Sequence, residues 1–100
     1  MNFKKEVSKR SKEALIETLD KLIGIDEKEF LRDCIKVEQR LLLEKMDRIS
    51  KKRKEIDKEI DSESNISTIM NLMKHNNEMI DENFKLRERY EKLSKELRNI

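Results

Sequence analysis

The chain predicts an all-α fold: a long antiparallel helical hairpin, coiled-coil-like, with an additional N-terminal helix. Three observations point there. The 100 residues contain one glycine, Gly24, and no proline, so beyond that point no residue type breaks a helix by its backbone alone. From Asp26 onward apolar side chains recur at three- and four-residue steps. Two stretches keep a strict seven-residue repeat, Ile35, Leu42, Ile49, Ile56 and then Leu72, Met79, Leu86, Leu93, Ile100, which holds one narrow stripe of a helix toward a partner helix. Finally, charged residues make up 46 % of the chain and hydrophobic ones 35 %, against ~25 % and ~45–50 % in globular domains. Such a chain cannot enclose a thick core, and elongated helices with most of their surface in water suit that balance.

The first helix is expected over residues 3–23, with Phe3, Val7, Ala14, Leu15, Leu19, Leu22 and Ile23 roughly on one face. Gly24 can take the left-handed position past its C-terminus, and Ile25 can fold back on the last turn. Asp26, with Glu29 three residues on, forms a capping-box pattern that opens the second helix, 26–60. Its first half carries Phe30, Leu31, Cys34, Ile35, Val37, Leu41, Leu42 and Leu43 over a wide arc, which predicts contact with more than one neighbour. Beyond Met46 only Ile49, Ile56 and Ile60 remain. Asp61-Ser-Glu-Ser-Asn65 gathers five turn- and cap-favouring residues and interrupts both repeats. The third helix follows over 66–99. The two long helices are each about 35 residues, roughly 50 Å, and equal lengths across a short link predict an antiparallel pair. The rival arrangement is one unbroken helix of about 75 residues in a parallel dimer, roughly 110 Å long.

The third helix carries two offset stripes. Ile66, Met70, Met73, Ile80 and Phe84 form one; Met79, Leu86, Tyr90, Leu93, Leu97 and Ile100 form the other. A hairpin partner covers only one of them well at each level. Burying an apolar side chain is worth ~1.5–3 kcal/mol, so five left uncovered forfeit about 10 kcal/mol, comparable with the ~5–15 kcal/mol stability of a whole domain. The first helix, a second copy or another protein is needed to cover the second stripe. Leu72, Met73, Met79, Ile80 and Phe84 are the partner-binding candidates, because flexible thioethers suit a surface that adapts to what it binds. Asn76, Asn77 and Asn83 lie on or beside the stripes, with Asn77 between Met73 and Ile80 and Asn83 between Met79 and Leu86; a polar residue there fixes register at some cost in stability, stays exposed, or hydrogen-bonds to a bound partner.

No catalytic residues are expected. His75-x-x-Glu78 has metal-like spacing, but helical di-metal sites need several carboxylates and more than one histidine, and His75 is the single histidine. No glycine-rich phosphate loop occurs, and neither a metal nor a cofactor is expected. Cys34, the one cysteine, rules out an internal disulfide framework and reads as a small core residue in a reducing compartment. Net charge is +2, from 24 basic and 22 acidic side chains interleaved along the chain, so wholesale binding to nucleic acid is not expected. The run Lys51-Lys-Arg-Lys54 is a possible exception, although Glu55, Asp57 and Glu59 can pair with it at helical spacing. The longest apolar run is Leu41–Leu43, too short for a membrane span or secretory signal. A cytoplasmic protein is expected.

Beyond these local features, the pattern from Leu15 to Leu93 resembles the FlgN/FliT-like family of flagellar type III export chaperones. Leu22-Ile-Gly-Ile-Asp26 is similar to the family's Gly-Asp-then-Leu break, and Phe30-Leu31 follows it. Glu38-Gln-Arg-Leu-Leu-Leu43 is similar to its Glu/Lys/Arg-x-x-Leu-Leu stretch, Lys52-Arg53 to the basic residue before the hairpin tip, and Asn83 with Leu86 to the Asn-x-x-Leu of the last helix. The resemblance implies a small cytoplasmic protein of antiparallel helices without catalytic residues. It also implies a job, holding the amphipathic terminal helix of an export client in a helical groove until secretion. The residues themselves leave two other classes open: a self-associating coiled coil with a scaffold role, and a helical nucleic-acid binder using Lys51–Lys54.

Overall fold

The computed structural model describes residues 2–19 and 26–100, and all regular structure among them is helical. Four helices follow one another: α1 Phe3–Ser8, α2 Lys12–Thr18, α3 Glu27–Ser62 and α4 Ile66–Asn99. The long pair, α3 and α4, forms the expected antiparallel hairpin, and its bounds lie close to those read from the sequence.

The N-terminal segment differs. The single helix expected over 3–23 is instead two short ones, parted at Lys9–Ser11. Each has its own cap: Asn2 Oδ1 accepts from the Lys5 N–H at 3.3 Å, and Ser11 Oγ accepts from the Ala14 N–H at 3.2 Å. Side-chain caps of this kind satisfy N–H groups that the first turn leaves unpaired. The stop expected at Gly24 and Ile25, and the end of the first helix at Leu22 and Ile23, lie outside the described residues. Asp26 behaves as expected, its Oδ1 accepting from the Glu29 N–H at 2.8 Å.

The chain divides into two compact units, Met1–Leu42 with Tyr90–Ile100, and Leu43–Arg89. In the first unit the broad apolar arc of α3 is covered from two sides. Phe30, Leu31, Cys34, Ile35 and Leu42 are buried, together with Ala14 of α2 and Leu93 of α4. The ring of Phe3 lies against that of Phe30, centroids 6.1 Å apart and planes tilted by 55°, one of the inclined arrangements aromatic pairs prefer. On the other side Gln39 donates from Nε2 to Ser94 Oγ at 2.7 Å, and Arg32 reaches the carbonyl of Ile100 at 3.3 Å. Numbers rising on α3 meet numbers falling on α4, which is the antiparallel register.

The second unit is thinner. Ile56 of α3 and Met79 of α4 are its buried apolar side chains, while Met46, Ile49, Ile60, Ile69, Leu72 and Leu86 are half-buried. Between α3 and α4 the link is three residues, 63–65. Glu63 Oε1 accepts from the N–H groups of Ser64 and Asn65, both at 3.0 Å, and Asn65 Oδ1 accepts from Ser67 and Thr68 at the start of α4. The turn thus needs no glycine, because carboxylate and amide oxygens satisfy the backbone donors that a helix end exposes. One unbroken helix is thereby excluded.

Candidate functional site

The α4 residues that turn toward α3 in the second unit are Ile69, Leu72, Asn76, Met79, Asn83 and Leu86, each buried or half-buried. Their steps of three and four continue as Tyr90, Leu93, Leu97 and Ile100 in the first unit. This seam holds the heptad Leu72, Met79, Leu86, Leu93, Ile100 and a second, interleaved set, Ile69, Asn76, Asn83, Tyr90, Leu97. Of that set the sequence placed Asn83, Tyr90 and Leu97 on the stripe and Asn76 on or beside it, and left out Ile69.

A different face of α4 carries Ile66, Met70, Met73, Asn77, Ile80 and Phe84. At about 100° per residue these six span only roughly 80° of the helix circumference. Ile66 is 74 % exposed, Met70 65 %, Met73 52 % and Phe84 60 %; Asn77 is exposed and Ile80 half-buried. Isolated exposed apolar residues are ordinary, but an aligned row of large ones is the kind of patch that marks an interaction site. Beside the row, Met70, Met73 and Asn77 border a shallow groove with Lys74, Glu78 and Asp81, so a cation and two carboxylates rim the apolar surface.

Of the partner-binding candidates, Met73, Ile80 and Phe84 share this open face. Leu72 and Met79 do not. Leu72 is half-buried, and Met79, 6 % exposed, belongs to the hairpin core. The reason is geometric, since neighbouring residues such as Leu72 and Met73 point about 100° apart on a helix. The face gains Ile66 and Met70 instead, both already aligned with it by sequence.

Other groups take structural parts. His75 Nδ1 lies 3.9 Å from Glu78 Oε2, both exposed, and among the described residues no three His, Cys, Asp or Glu side chains gather as a metal site would require. Within the basic run, Lys51 pairs with Asp47 at 3.0 Å. Arg53 instead donates from Nε to Asn76 Oδ1 at 3.1 Å, and Asn76 donates from Nδ2 to Asp57 Oδ1 at 3.2 Å. The acidic neighbour Asp57 is thus drawn toward α4. Asn83 Oδ1 is buried and accepts no hydrogen bond among the described residues.

Cys34 is buried, its Sγ 2.9 Å from Thr18 Oγ1, and Thr18 Oγ1 donates in turn to the Ala14 carbonyl at 2.7 Å. Burial pushes the thiol pKa up, against the opposing pull of the Thr18 contact, so the nucleophilic thiolate is disfavoured. No helix among the described residues is long and apolar enough to cross a membrane. Compared with family models, curated proteins and solved structures, the chain matches none.

Proposed function

We propose that this chain is a non-enzymatic docking module that holds an amphipathic helix of another protein on the open face of α4. Its biological setting is the one its resemblance to flagellar export chaperones implies, a cytoplasmic hold on the terminal helix of a client awaiting export. One observation carries this reading: Ile66, Met70, Met73 and Phe84 stand more than half exposed in a single row, on a helix whose other face is already committed to the hairpin. An amphipathic helix laid along such a row inserts its own i, i+3, i+4 and i+7 anchors.

Magnitudes favour a releasable hold. Covering four partly exposed side chains returns on the order of 4–8 kcal/mol, from which the cost of association and side-chain ordering is subtracted. Since even the gross figure falls short of the roughly 8 kcal/mol of micromolar binding, what remains supports a hold weaker than micromolar. That suits a carrier which must surrender its cargo, and Met70 and Met73 let the face mould itself to more than one sequence.

The test is fluorescence anisotropy with labelled terminal helices of the flagellar-type export substrates from the source cell. The intact chain binds at least one of them, and Met73→Asp with Phe84→Asp weakens that binding by about 10-fold or more while circular dichroism stays helical. Binding that survives the double substitution, or no binding to any of these helices, removes the reading.

A further inference from the structure

In the absence of a client, we infer that a second copy of this chain covers the open face, with its α4 running antiparallel and a two-fold axis crossing near position 75. The steps along the row Ile66, Met70, Met73, Asn77, Ile80, Phe84 are four, three, four, three, four. That order reads the same in both directions. Reversing a second copy about the centre therefore sets Ile66 opposite its Phe84, Met70 opposite its Ile80, and Met73 opposite its Asn77. Apolar side chains meet apolar ones, and the single polar position sits beside the axis, where an isologous interface brings the same patch of both copies together.

Charge and area agree with that pairing. Lys74, Glu78 and Asp81 rim the face on the side away from the hairpin seam. In an antiparallel pair like flank meets like flank, which brings Lys74 of each copy within two residues, about 3 Å along the helix, of the level of Glu78 in the other, twice by symmetry. His75, already close to Glu78, points away from the row and leaves the axis clear. The four most exposed apolar side chains leave on the order of 300–400 Å² of apolar surface per chain, as large as the largest patches monomers usually carry. With their flanks, two such faces bury roughly 1,000–1,200 Å² in total, the lower bound for a specific interface. A contact of that size is stable enough to shield the row and small enough to yield to a client.

Although it rests on the row being a docking face, the dimer is independent of which client occupies that face. Sedimentation equilibrium of the full chain over a concentration series should give a mass tending to twice 12.1 kDa. Met70→Asp with Met73→Asp, both at exposed positions, should raise the dimer dissociation constant about 10-fold or more. Mixing Met73→Cys and Asn77→Cys variants under mild oxidation should link positions 73 and 77 across chains, read by mass spectrometry and unaffected by buried Cys34. Lys74→Glu should weaken the dimer, and adding Glu78→Lys should restore it. A mass that stays at one chain, a dimer indifferent to the aspartates, or linkage of 73 to 73 in preference to 73 to 77 overturns the inference. A chain that dimerises this way but releases its partner to no export-substrate helix removes the client reading alone. A monomer that still binds such a helix removes the dimer alone.

Discussion

The guanidinium of Arg10 and the carboxylate of Glu38 are each only 3 % exposed and meet at 3.1 Å between Nη1 and Oε2. A second guanidinium nitrogen of Arg10 reaches Glu96 on α4, and the other oxygen of Glu38 accepts from the Ser11 backbone N–H. One buried arginine thus ties the break between α1 and α2 to both long helices. A buried ion pair repays its desolvation only with all partners in place, and removing one partner typically costs ~3–5 kcal/mol. Arg10→Met should lower stability in urea by that amount, about 3–5 kcal/mol, because Glu38 is left charged and dry. Pairing it with Glu38→Gln, which keeps an acceptor for Ser11, should recover more than half of the loss. Equal losses in the single and double variants would show that the charge is not what is left unpaired.

Cys34 sits against Thr18 with its thiol pKa raised by burial. The sign follows from linkage. A pKa raised above its unfolded value favours the protonated folded state, so this contribution is present below the ordinary thiol value of 9.0. It is lost as pH climbs through the raised folded value. Thermal melts between neutral and strongly alkaline pH should show a decline above 9.0 that Cys34→Ala shallows. In the native state at neutral pH, a small alkylating reagent should modify the thiol only at the rate at which the first unit opens.

Asn76 and Asn83 occupy the same seam of α4 seven residues apart, yet their surroundings predict opposite outcomes. Asn76 is bonded to both the half-buried Arg53 and the exposed Asp57, so Asn76→Leu strands the Arg53 guanidinium and should cost about 1–2 kcal/mol. Asn83 leaves a buried oxygen unpaired, and Asn83→Leu should stabilise the hairpin by about 1 kcal/mol by exchanging that atom for apolar packing. Chemical denaturation of the two variants side by side decides it. A destabilised Asn83→Leu would mean that the amide is needed where it stands.

Much of this was legible beforehand because helical geometry writes itself into spacing. Of the two heptads, Ile35, Leu42, Ile56, Met79 and Leu93 are buried and Ile49, Leu72, Leu86 and Ile100 half-buried. Asp26 announces its cap through a local bond, and Asp61–Asn65 places the turn through its cap-forming side chains. The break at Lys9–Ser11 was not legible. Ser8-Lys-Arg-Ser11 contains no glycine or proline, and what organises it there is a contact between Arg10 and Glu38, 28 positions apart. Only Ser11, a good cap ahead of Lys12, hinted at a new start. At the candidate site Met73 and Phe84 were readable from their alignment, whereas Leu72 and Met79 were not separable from them, since both faces of α4 are apolar and adjacent residues point to different ones.

Met73 and Met79 offer the sharpest contrast between those faces. They have the same side chain, lie six residues apart on one helix, and differ in exposure from 52 % to 6 %. An aspartate at an exposed position away from special backbone features changes stability by about 0.5 kcal/mol or less. In a core it loses the methionine's burial and adds the desolvation of a charge. Met73→Asp should therefore leave the urea midpoint nearly unchanged, whereas Met79→Asp should cost more than about 3 kcal/mol and abolish cooperative unfolding of the second unit. A dye that fluoresces on apolar surfaces adds the complementary readout. It should bind the intact chain at low concentration, lose signal in Met73→Asp, and gain signal in Met79→Asp as the seam opens. Comparable destabilisation by the two substitutions would place Met73 in the core as well and leave α4 with no open face to offer.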